Sequence, residues 1–397
     1  MKRSTHRILT THVGSLARPD SLIPILRSKE RGQPYDAGDF ARLARQAVAD
    51  VVRKQVEAGI DVVADGEQGR ASFFGYIVER FNGFERKPAR AGEEGTPRAT
   101  GREYLAFPDY YAWSERIAEW AGGRGGDRSH GVDTCTGPIS YKGLAALNTE
   151  IENLKAALQG LRHEEVFMPA IAPSYIAATL PNEYYRTESE YEQAIADALR
   201  EEYKAIVDAG FILQIDDPRL VTYYMMNPGK SVDDCRKWAA QRVEAINYSI
   251  RGIPTEKIRF HTCYSIDVGP RIHEMELKDI VDIILKIDAG AYSFEAANPR
   301  HEHEYHVFEQ VKLAEGKILI PGVISHTTNL VEHPELIAER IQRFANLVGR
   351  ENVIAGADCG FAASAVRFND THPSVAWLKF AALAEGARLA TQRLWGR

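Results

Sequence analysis

The sequence predicts an α/β protein that forms a closed (β/α)8 barrel, a TIM barrel, and three observations support this prediction. Short apolar runs alternate with long amphipathic stretches eight or nine times along the 397 residues, which is typical of parallel strands joined by crossover helices. Polar side chains follow many of these runs, as in barrels that collect functional groups on one face. The segment TTHVGSLARP after the first run is not the glycine-rich phosphate loop typical of an open doubly wound sheet. The barrel is therefore favoured over the open sheet.

Eight apolar runs are predicted to form the barrel strands, at 7–14, 61–66, 164–170, 211–216, 258–263, 290–295, 317–323 and 352–357. Helices are predicted after most of them. Thr187 and Glu190 form a capping box at the start of an apolar stripe with helical spacing that ends at Gly210. A second stripe over 337–348 ends at Gly349.

The stretch 83–131 is the least regular part of the chain, and no change of composition marks a linker. It is predicted to be an insertion into the barrel, with a ninth apolar run at 132–139 as part of an accessory hairpin. The chain is therefore interpreted as one (β/α)8 barrel domain over residues 1–397, with an insertion around 83–131.

Composition and charge exclude several classes of protein. The chain is 44% hydrophobic and 26% charged, which argues against disorder, and its net charge of −6 argues against a nucleic-acid partner. Four cysteines in 397 residues indicate a reducing compartment. Neither a signal peptide nor an apolar run long enough for a membrane span is found in the sequence, so we expect a cytoplasmic protein without a membrane partner.

The sharpest local motif is His261-Thr262-Cys263 at the end of an apolar run. In an extended strand the first and third residues point to the same side, so the imidazole and the thiol can meet at one point. Glu295 and Cys359 end later runs. A set of one histidine, one carboxylate and two cysteines suits zinc. The alternative is a buried histidine and two unreactive cysteines at strand ends.

Other polar residues also stand at predicted strand ends, namely Ser15 in THVGS, Glu67 in DGEQGR and Asp216 in QIDDPR. Singly, such carboxylates are common as helix caps. Together they predict an acidic barrel mouth that favours a substrate ammonium group. The run 301–306, HEHEYH, does not match the HExxH protease motif and is interpreted as a solvated loop or helix start, with a role at the barrel mouth left open.

Taken in order, these motifs resemble the cobalamin-independent methionine synthase family, specifically its catalytic C-terminal barrel. The matching segments are TTHVGS (10–15), DGE (65–67), VDAG (207–210), QIDDP (214–218), HTCYS (261–265), FE (294–295), GVISH (322–326) and ADCG (357–360). The extended match around YSFEAANPRHEHE is more similar to the short, single-barrel branch that includes the epoxyalkane:coenzyme M transferases. The chain departs from the family in QIDDP, where QIDEP is usual, and in an insertion at 267–275.

The resemblance implies a barrel of the methionine synthase and uroporphyrinogen decarboxylase type. It implies Zn2+ as the cofactor, homocysteine-binding residues, and a histidine that supplies a proton, His326. The implied zinc ligands are His261, Cys263, Glu295 and Cys359, and the implied substrate-binding residues are Val13, Ser15, Glu67 and Asp216.

The resemblance implies zinc-dependent alkyl transfer to a small-molecule thiol, with S-methylation of homocysteine from a methyl-folate-type donor as the first choice. The alternative is an epoxyalkane:coenzyme M transferase, whose sulfonate substrate needs a cation such as Arg70, Arg219 or Arg300. Other classes are a decarboxylase or corrinoid methyl-transfer partner on a related barrel, and a metal-bound binding protein without turnover. A homo-oligomer is compatible with the sequence, which does not decide the oligomeric state.

Overall fold

The computed structural model describes residues 1–88, 101–120, 131–264, 269–365 and 371–396. The strands of this part of the chain are β1 Leu9–Thr10, β2 Val62–Val63, β3 Phe81–Lys87, β4 Val132–Tyr141, β5 Glu165–Ile171, β6 Ile212–Asp216, β7 Ile258–His261, β8 Ala291–Phe294, β9 Ile318–Ile324 and β10 Ile354–Ala357. Eight of them form one parallel sheet in the order β1-β10-β9-β8-β7-β6-β5-β2. A parallel bridge from Thr11 to Val62 joins the two outer strands. The predicted TIM barrel is confirmed.

Each of the nine predicted runs contains a strand, and β3 is an additional strand that the sequence did not predict. It pairs antiparallel with β4, from Phe81 opposite Tyr141 to Lys87 opposite Val132. This pair lies outside the barrel sheet, so the predicted accessory hairpin is confirmed. Within the predicted insertion, residues 89–100 and 121–130 lie outside the described part of the chain.

Helices surround the strands. They are α1 Ile23–Glu30, α2 Ala37–Glu57, α3 Ile77–Arg80, α4 Arg102–Ala106, α5 Pro108–Trp120, α6 Leu144–Ala157, α7 Pro173–Thr179, α8 Glu188–Asp208, α9 Arg219–Met226, α10 Val232–Ile250, α11 Val281–Ile284, α12 Pro334–Val348 and α13 Pro373–Trp395. Among the described helices, none combines the length and the apolar character needed to cross a membrane.

The helix signals predicted from the sequence are present in α8 and α12. The Thr187 hydroxyl accepts a hydrogen bond from the backbone of Glu190, and the Glu190 carboxylate accepts one from the backbone of Thr187, which completes the capping box of α8. Gly210 follows α8 with φ 95°, a left-handed conformation that suits glycine and turns the chain into β6. Gly349 ends α12 in the same way, with φ 89°.

The barrel interior holds a buried arginine directly below the carboxyl ends of the strands. Arg259 of β7 donates to Gln214 of β6 at 2.6 Å and to the hydroxyl of Thr11 at 3.0 Å. Its guanidinium lies 3.7 Å from the ring centroid of Phe167. Because Thr11 follows β1, which is not a neighbour of β7, these contacts cross the barrel. They form a polar floor two residues below His261.

Candidate metal and substrate site

The predicted site residues gather at one end of the barrel because the strands are parallel and their carboxyl ends share one face. In register, Asp216 of β6 lies beside His261 of β7, and His261 lies beside Ser293 of β8. All predicted site residues are buried: Val13, Ser15, Glu67, Asp216, His261, Cys263, Glu295, His326 and Cys359.

Three of the four predicted zinc ligands converge. One potential ligand atom from each of His261, Cys263 and Cys359 lies within 4.8 Å of the others. The Sγ atoms of the two cysteines are 3.1 Å apart, and both are free thiols. Two sulfurs and an imidazole nitrogen are the donor set that zinc prefers in proteins.

His261 is oriented for coordination. Its Nδ1 lies 3.1 Å from the hydroxyl of Ser293, whereas its buried Nε2 has no hydrogen-bond partner among the described residues. Burial and the charge of Arg259 lower the pKa of His261 to about 3, so the ring is neutral at neutral pH. A neutral imidazole with one nitrogen held by a neighbour and the other unshared fits a metal ion.

Ionisation of the Cys359 thiol is unfavourable without a nearby cation. The hydrogen bond with Cys263 and then burial raise the pKa of Cys359 well above its usual range. A bound metal ion would favour the ionised thiolate over the thiol, because it stabilises thiolates directly. The donor set and the unshared nitrogen of His261 therefore fit zinc.

Glu295, the fourth predicted ligand, lies outside this three-residue cluster. Its Oε1 accepts from the backbone of Tyr264 at 2.7 Å, and its Oε2 accepts from Arg271 at 2.9 Å and from the amide of Asn298. Burial opposes ionisation of this carboxyl, but the charges of Arg271, His326 and His301 together with the Arg271 hydrogen bond lower its pKa. Glu295 is thus an ionised carboxylate with three donors of its own.

Glu67 and Asp216 form an acidic pair near the cluster. Glu67 has a left-handed φ of 55°, and its nearest cation is Arg18, at 3.4 Å. Asp216 accepts from the Gln214 amide at 2.7 Å. Burial raises the pKa of both carboxyls, and repulsion by Glu67 adds to the rise at Asp216. A ligand cation placed between them would relieve this cost.

The first barrel loop connects the acidic pair with the cysteines. The carbonyl of Val13 accepts from the same Gln214 amide that donates to Asp216. The carbonyl of Ser15 accepts from Phe361 at 3.0 Å. The Ser15 hydroxyl leaves no room for a side chain at position 360, where a Cβ would come within 2.1 Å of it. Glycine after Cys359 therefore lets Ser15 pack this closely without a shift of its hydroxyl.

His326 follows β9 on the same face of the barrel. It is 3% exposed, and its carbonyl accepts from the Thr371 hydroxyl at 2.6 Å. The positive charge of a protonated His326 contributes to lowering the pKa of both His261 and Glu295. His326 therefore belongs to the same electrostatic environment as the cluster.

The sequence prediction missed residues that hold these groups in place. Asp358 accepts from the backbone amides of Ala296 and Ala297, both at 2.8 Å, and so ties the loop of Cys359 to the loop of Glu295. Arg271 belongs to the predicted insertion at 267–275, whose first two residues lie outside the described part of the chain. The adjacency of an aspartate to the predicted ligand Cys359 was a usable signal, whereas nothing local pointed to Arg271.

The interpretation of HEHEYH as a solvated loop or helix start is right about the helix but wrong about the exposure of His301 and Glu304. The run begins a 3-10 helix at Glu302–Glu309, but His301 is only 3% exposed. Its two nitrogens lie 2.9 Å from Glu274 and 2.7 Å from Glu304. Its ring stacks on Tyr264 at 3.8 Å, next to Cys263.

Comparison with known proteins gives consistent matches. A family model described as the catalytic domain of cobalamin-independent synthase matches residues 8–91 and 171–380. A methionine synthase from Saccharolobus islandicus is 26% identical over 389 residues, covering 97% of this chain and 95% of the relative. One from Sulfolobus acidocaldarius is 26% identical and covers 88% of this chain and 85% of the relative.

Two solved structures share the fold. The B12-independent methionine synthase from Shewanella sp. W3-18-1, in complex with selenomethionine, superposes with a TM-score of 0.69 at 19% identity, covering 98% of this chain and 100% of that chain. A putative vitamin-B12 independent methionine synthase from Listeria monocytogenes gives a TM-score of 0.64 at 19% identity, with 96% and 98% coverage.

Proposed function

The chain belongs to the cobalamin-independent synthase family and is an enzyme of the methionine synthase type, and on this premise we propose that it is a zinc-dependent S-methyltransferase that methylates homocysteine. The observation that carries the proposal is the buried cluster of His261, Cys263 and Cys359, whose ligand atoms lie within 4.8 Å of one another. The unshared Nε2 of His261 supports a metal at this point.

A zinc ion held there would supply the positive charge that keeps a coordinated thiol deprotonated, and hence nucleophilic, at neutral pH. The protein contributes the two cysteines, which leave the sulfur of a substrate electron-rich, and His261, which Ser293 holds in orientation. We assign the fourth ligand position to Glu295 in the absence of substrate, as the family resemblance implies.

The acidic pair supports an amino-acid thiol as the substrate. Glu67 and Asp216 are buried, and burial raises both pKa values, so an ammonium group is a ligand whose charge would stabilise both carboxylates in their ionised form. Asp216 lies next to His261 in register, which suits a short chain between ammonium and thiol. Val13 and Ser15 complete this proposed substrate pocket through the backbone of the first loop.

The second substrate is proposed to be a methyl-folate-type donor, and His326 the acid. A methyl group on a donor nitrogen leaves slowly unless that nitrogen is protonated, so the reaction needs a proton source. His326 is buried on the same face as the cluster and interacts electrostatically with His261 and Glu295. Its part is to deliver a proton to the leaving nitrogen while sulfur forms the new bond to carbon.

Coenzyme M is a weaker candidate for the thiol because its sulfonate needs a cation. Arg70 is committed to Glu150 at 2.9 Å and to the carbonyl of Pro169 at 2.8 Å. Arg219 donates to Thr179, and Arg300 is exposed. The buried acids at the mouth would repel a sulfonate.

The proposal is tested by measuring thiol-dependent product from homocysteine and from coenzyme M, with methyl-folate and epoxyalkane donors in separate assays. Each assay uses the zinc-loaded protein and the same protein after removal of zinc by a chelator. The proposal predicts methionine from homocysteine and methyl-folate, only in the zinc-loaded form. Turnover of coenzyme M alone, or equal activity after zinc removal, would overturn it.

A further inference from the structure

Both oxygens of the buried Glu295 carboxylate accept hydrogen bonds from donors that are not part of the cysteine cluster. Tyr264, Asn298 and Arg271 donate to its two oxygens, and it is 1% exposed. A buried carboxylate that is displaced from a metal ion carries a large free-energy cost unless a cation or hydrogen-bond donors compensate its charge. The three donors therefore hold this side chain in a position outside the three-residue cluster.

Arg271 is the only charged donor among the three, and its own position is tightly defined. It is one of the two non-glycine residues with positive φ in the described part of the chain, at 58°. Its Nε donates to Glu274 at 2.5 Å and its Nη2 to Glu295 at 2.9 Å. With one nitrogen bound to Glu274, the guanidinium presents the other to Glu295 in a fixed direction.

A chain of hydrogen bonds holds Glu274 in turn. His301 lies 2.9 Å from Glu274 and 2.7 Å from Glu304, and Glu304 accepts from the backbone of Leu277 at 2.7 Å. On the other side, Glu103 of α4 accepts from the backbone of His273. The segment that carries Arg271 is thus fixed both to the 3-10 helix that follows His301 and to helix α4 of the insertion around 83–131.

The role of Glu295 when a substrate thiol binds can be inferred from these contacts, and this inference rests on the proposed function. With zinc held by His261, Cys263 and Cys359, a substrate sulfur would take the position proposed for Glu295. We propose that Arg271 is a positioning residue that receives the displaced Glu295 carboxylate and so favours entry of the thiol. Residues 269–275 and the buried His301 then have a shared role, which is to hold Arg271 in position.

The inference predicts opposite effects on metal and thiol affinity. Arg271 competes with the metal for Glu295, so Arg271→Met should leave zinc affinity unchanged or increase it when no thiol is present. The same substitution removes the partner of the displaced carboxylate, so homocysteine affinity should fall roughly tenfold or more. Arg271→Lys keeps the charge without the second hydrogen bond and should give an intermediate loss.

The test uses the full-length protein with cobalt(II) in place of zinc. Changes in the visible absorption of cobalt on addition of homocysteine report thiol binding without turnover, and competition with a chelator dye reports zinc affinity. Arg388→Met is the matched control, because Arg388 also bonds a glutamate, at 2.7 and 2.6 Å, but on the exposed surface of α13. Circular dichroism checks that each variant folds, and Arg271→Lys carries the test if Arg271→Met does not fold.

A double substitution separates the proposed role from structural support. In a Glu295→Gln background, Arg271→Met should produce no further loss of homocysteine affinity. The inference is overturned if that loss persists, if zinc and thiol affinities fall by the same factor, or if Arg271→Met binds homocysteine like the unsubstituted protein. If the unsubstituted cobalt protein does not respond to homocysteine, the proposed function fails and this inference fails with it.

Discussion

The Sγ atoms of Cys263 and Cys359 lie 3.1 Å apart although 96 residues separate them in the chain. One follows β7 and the other follows β10, and the closed parallel barrel is what brings the two loops together. Both thiols are buried and free. Two thiols in contact next to the unshared nitrogen of His261 are the basis of the metal site proposed for this enzyme.

Replacement of either cysteine should remove the metal. In Cys263→Ser and Cys359→Ser we expect the zinc content to fall from about one ion per chain to near zero, because each variant loses one of the two sulfur donors. Metal analysis of the purified variants measures this directly. Cys235→Ala, at a buried cysteine in α10, is the matched control and should retain zinc. Retention of zinc by both serine variants would contradict the assignment.

The acidic pair should determine affinity for the substrate and leave metal affinity unchanged. Glu67→Gln and Asp216→Asn are each expected to raise the KM for homocysteine by about tenfold to a hundredfold, the range for a lost hydrogen bond to a charged group. The zinc content should not change. Glu57→Gln, which alters an exposed partner of Arg53 on α2, should leave KM unchanged.

The role of the ammonium group can be isolated with a second thiol. 4-Mercaptobutanoate has the carbon chain and carboxylate of homocysteine but lacks the amino group. The unsubstituted protein should prefer homocysteine, and the Glu67→Gln and Asp216→Asn variants should lose most of that preference. An undiminished preference in both variants would show that the acids do not bind the ammonium.

His326 should affect turnover and leave binding unchanged. If it supplies the proton to the leaving group, His326→Asn should lower kcat by about a hundredfold or more, within the usual range for a general acid. Zinc content and the affinity for homocysteine should be preserved. His163→Gln, at an exposed histidine, is the control for the loss of an imidazole. Full activity of His326→Asn, or loss of its zinc, would count against this role.

The stability of the protein should depend on pH through His301. Burial opposes its charge, but the hydrogen bonds to Glu274 and Glu304 prevail and raise the pKa of His301 to about 9. Because this pKa lies above the unfolded-state value of roughly 6.5, the protonated ring stabilises the folded state, and this stabilisation is fully present below that pH. This stabilisation is lost as the pH rises through about 9.

The expected size of this effect is roughly 2 to 3 kcal/mol in the free energy of unfolding between pH 6 and pH 9.5. Urea unfolding at the two pH values measures it. His301→Gln should be less stable at pH 6 and should lose this part of the pH dependence. His306→Gln removes an exposed histidine 2.6 Å from Glu309. This variant should keep the same change in unfolding free energy between the two pH values as the unsubstituted protein. The same change in unfolding free energy between the two pH values in the unsubstituted protein and in both variants would refute the prediction.

The barrel could be predicted from the sequence because its strands are buried on both faces and appear as continuous apolar runs between helical stripes. β3 could not, because FNGFERK has a single fully buried side chain, Phe81, and no apolar alternation. Its pairing with β4 depends on the fold around it.

The cluster of His261, Cys263 and Cys359 was accessible from the sequence because each residue stands at or just after a strand end, where a parallel barrel collects side chains. The environment of Glu295 was not accessible. Its partner Arg271 lies 24 residues earlier on a different loop, in a backbone conformation that no local pattern signals. His301 was misjudged for the same reason, since its partner Glu274 is 27 residues away.

The central claim is that His261, Cys263 and Cys359 hold a zinc ion to which homocysteine adds its sulfur. X-ray absorption at the zinc edge, on the purified protein with and without homocysteine, tests it most directly. The proposal predicts two sulfur ligands together with lighter ligands in the free protein, and a third sulfur in place of a lighter ligand when homocysteine is bound. A zinc shell without sulfur, or one that homocysteine does not alter, would contradict it.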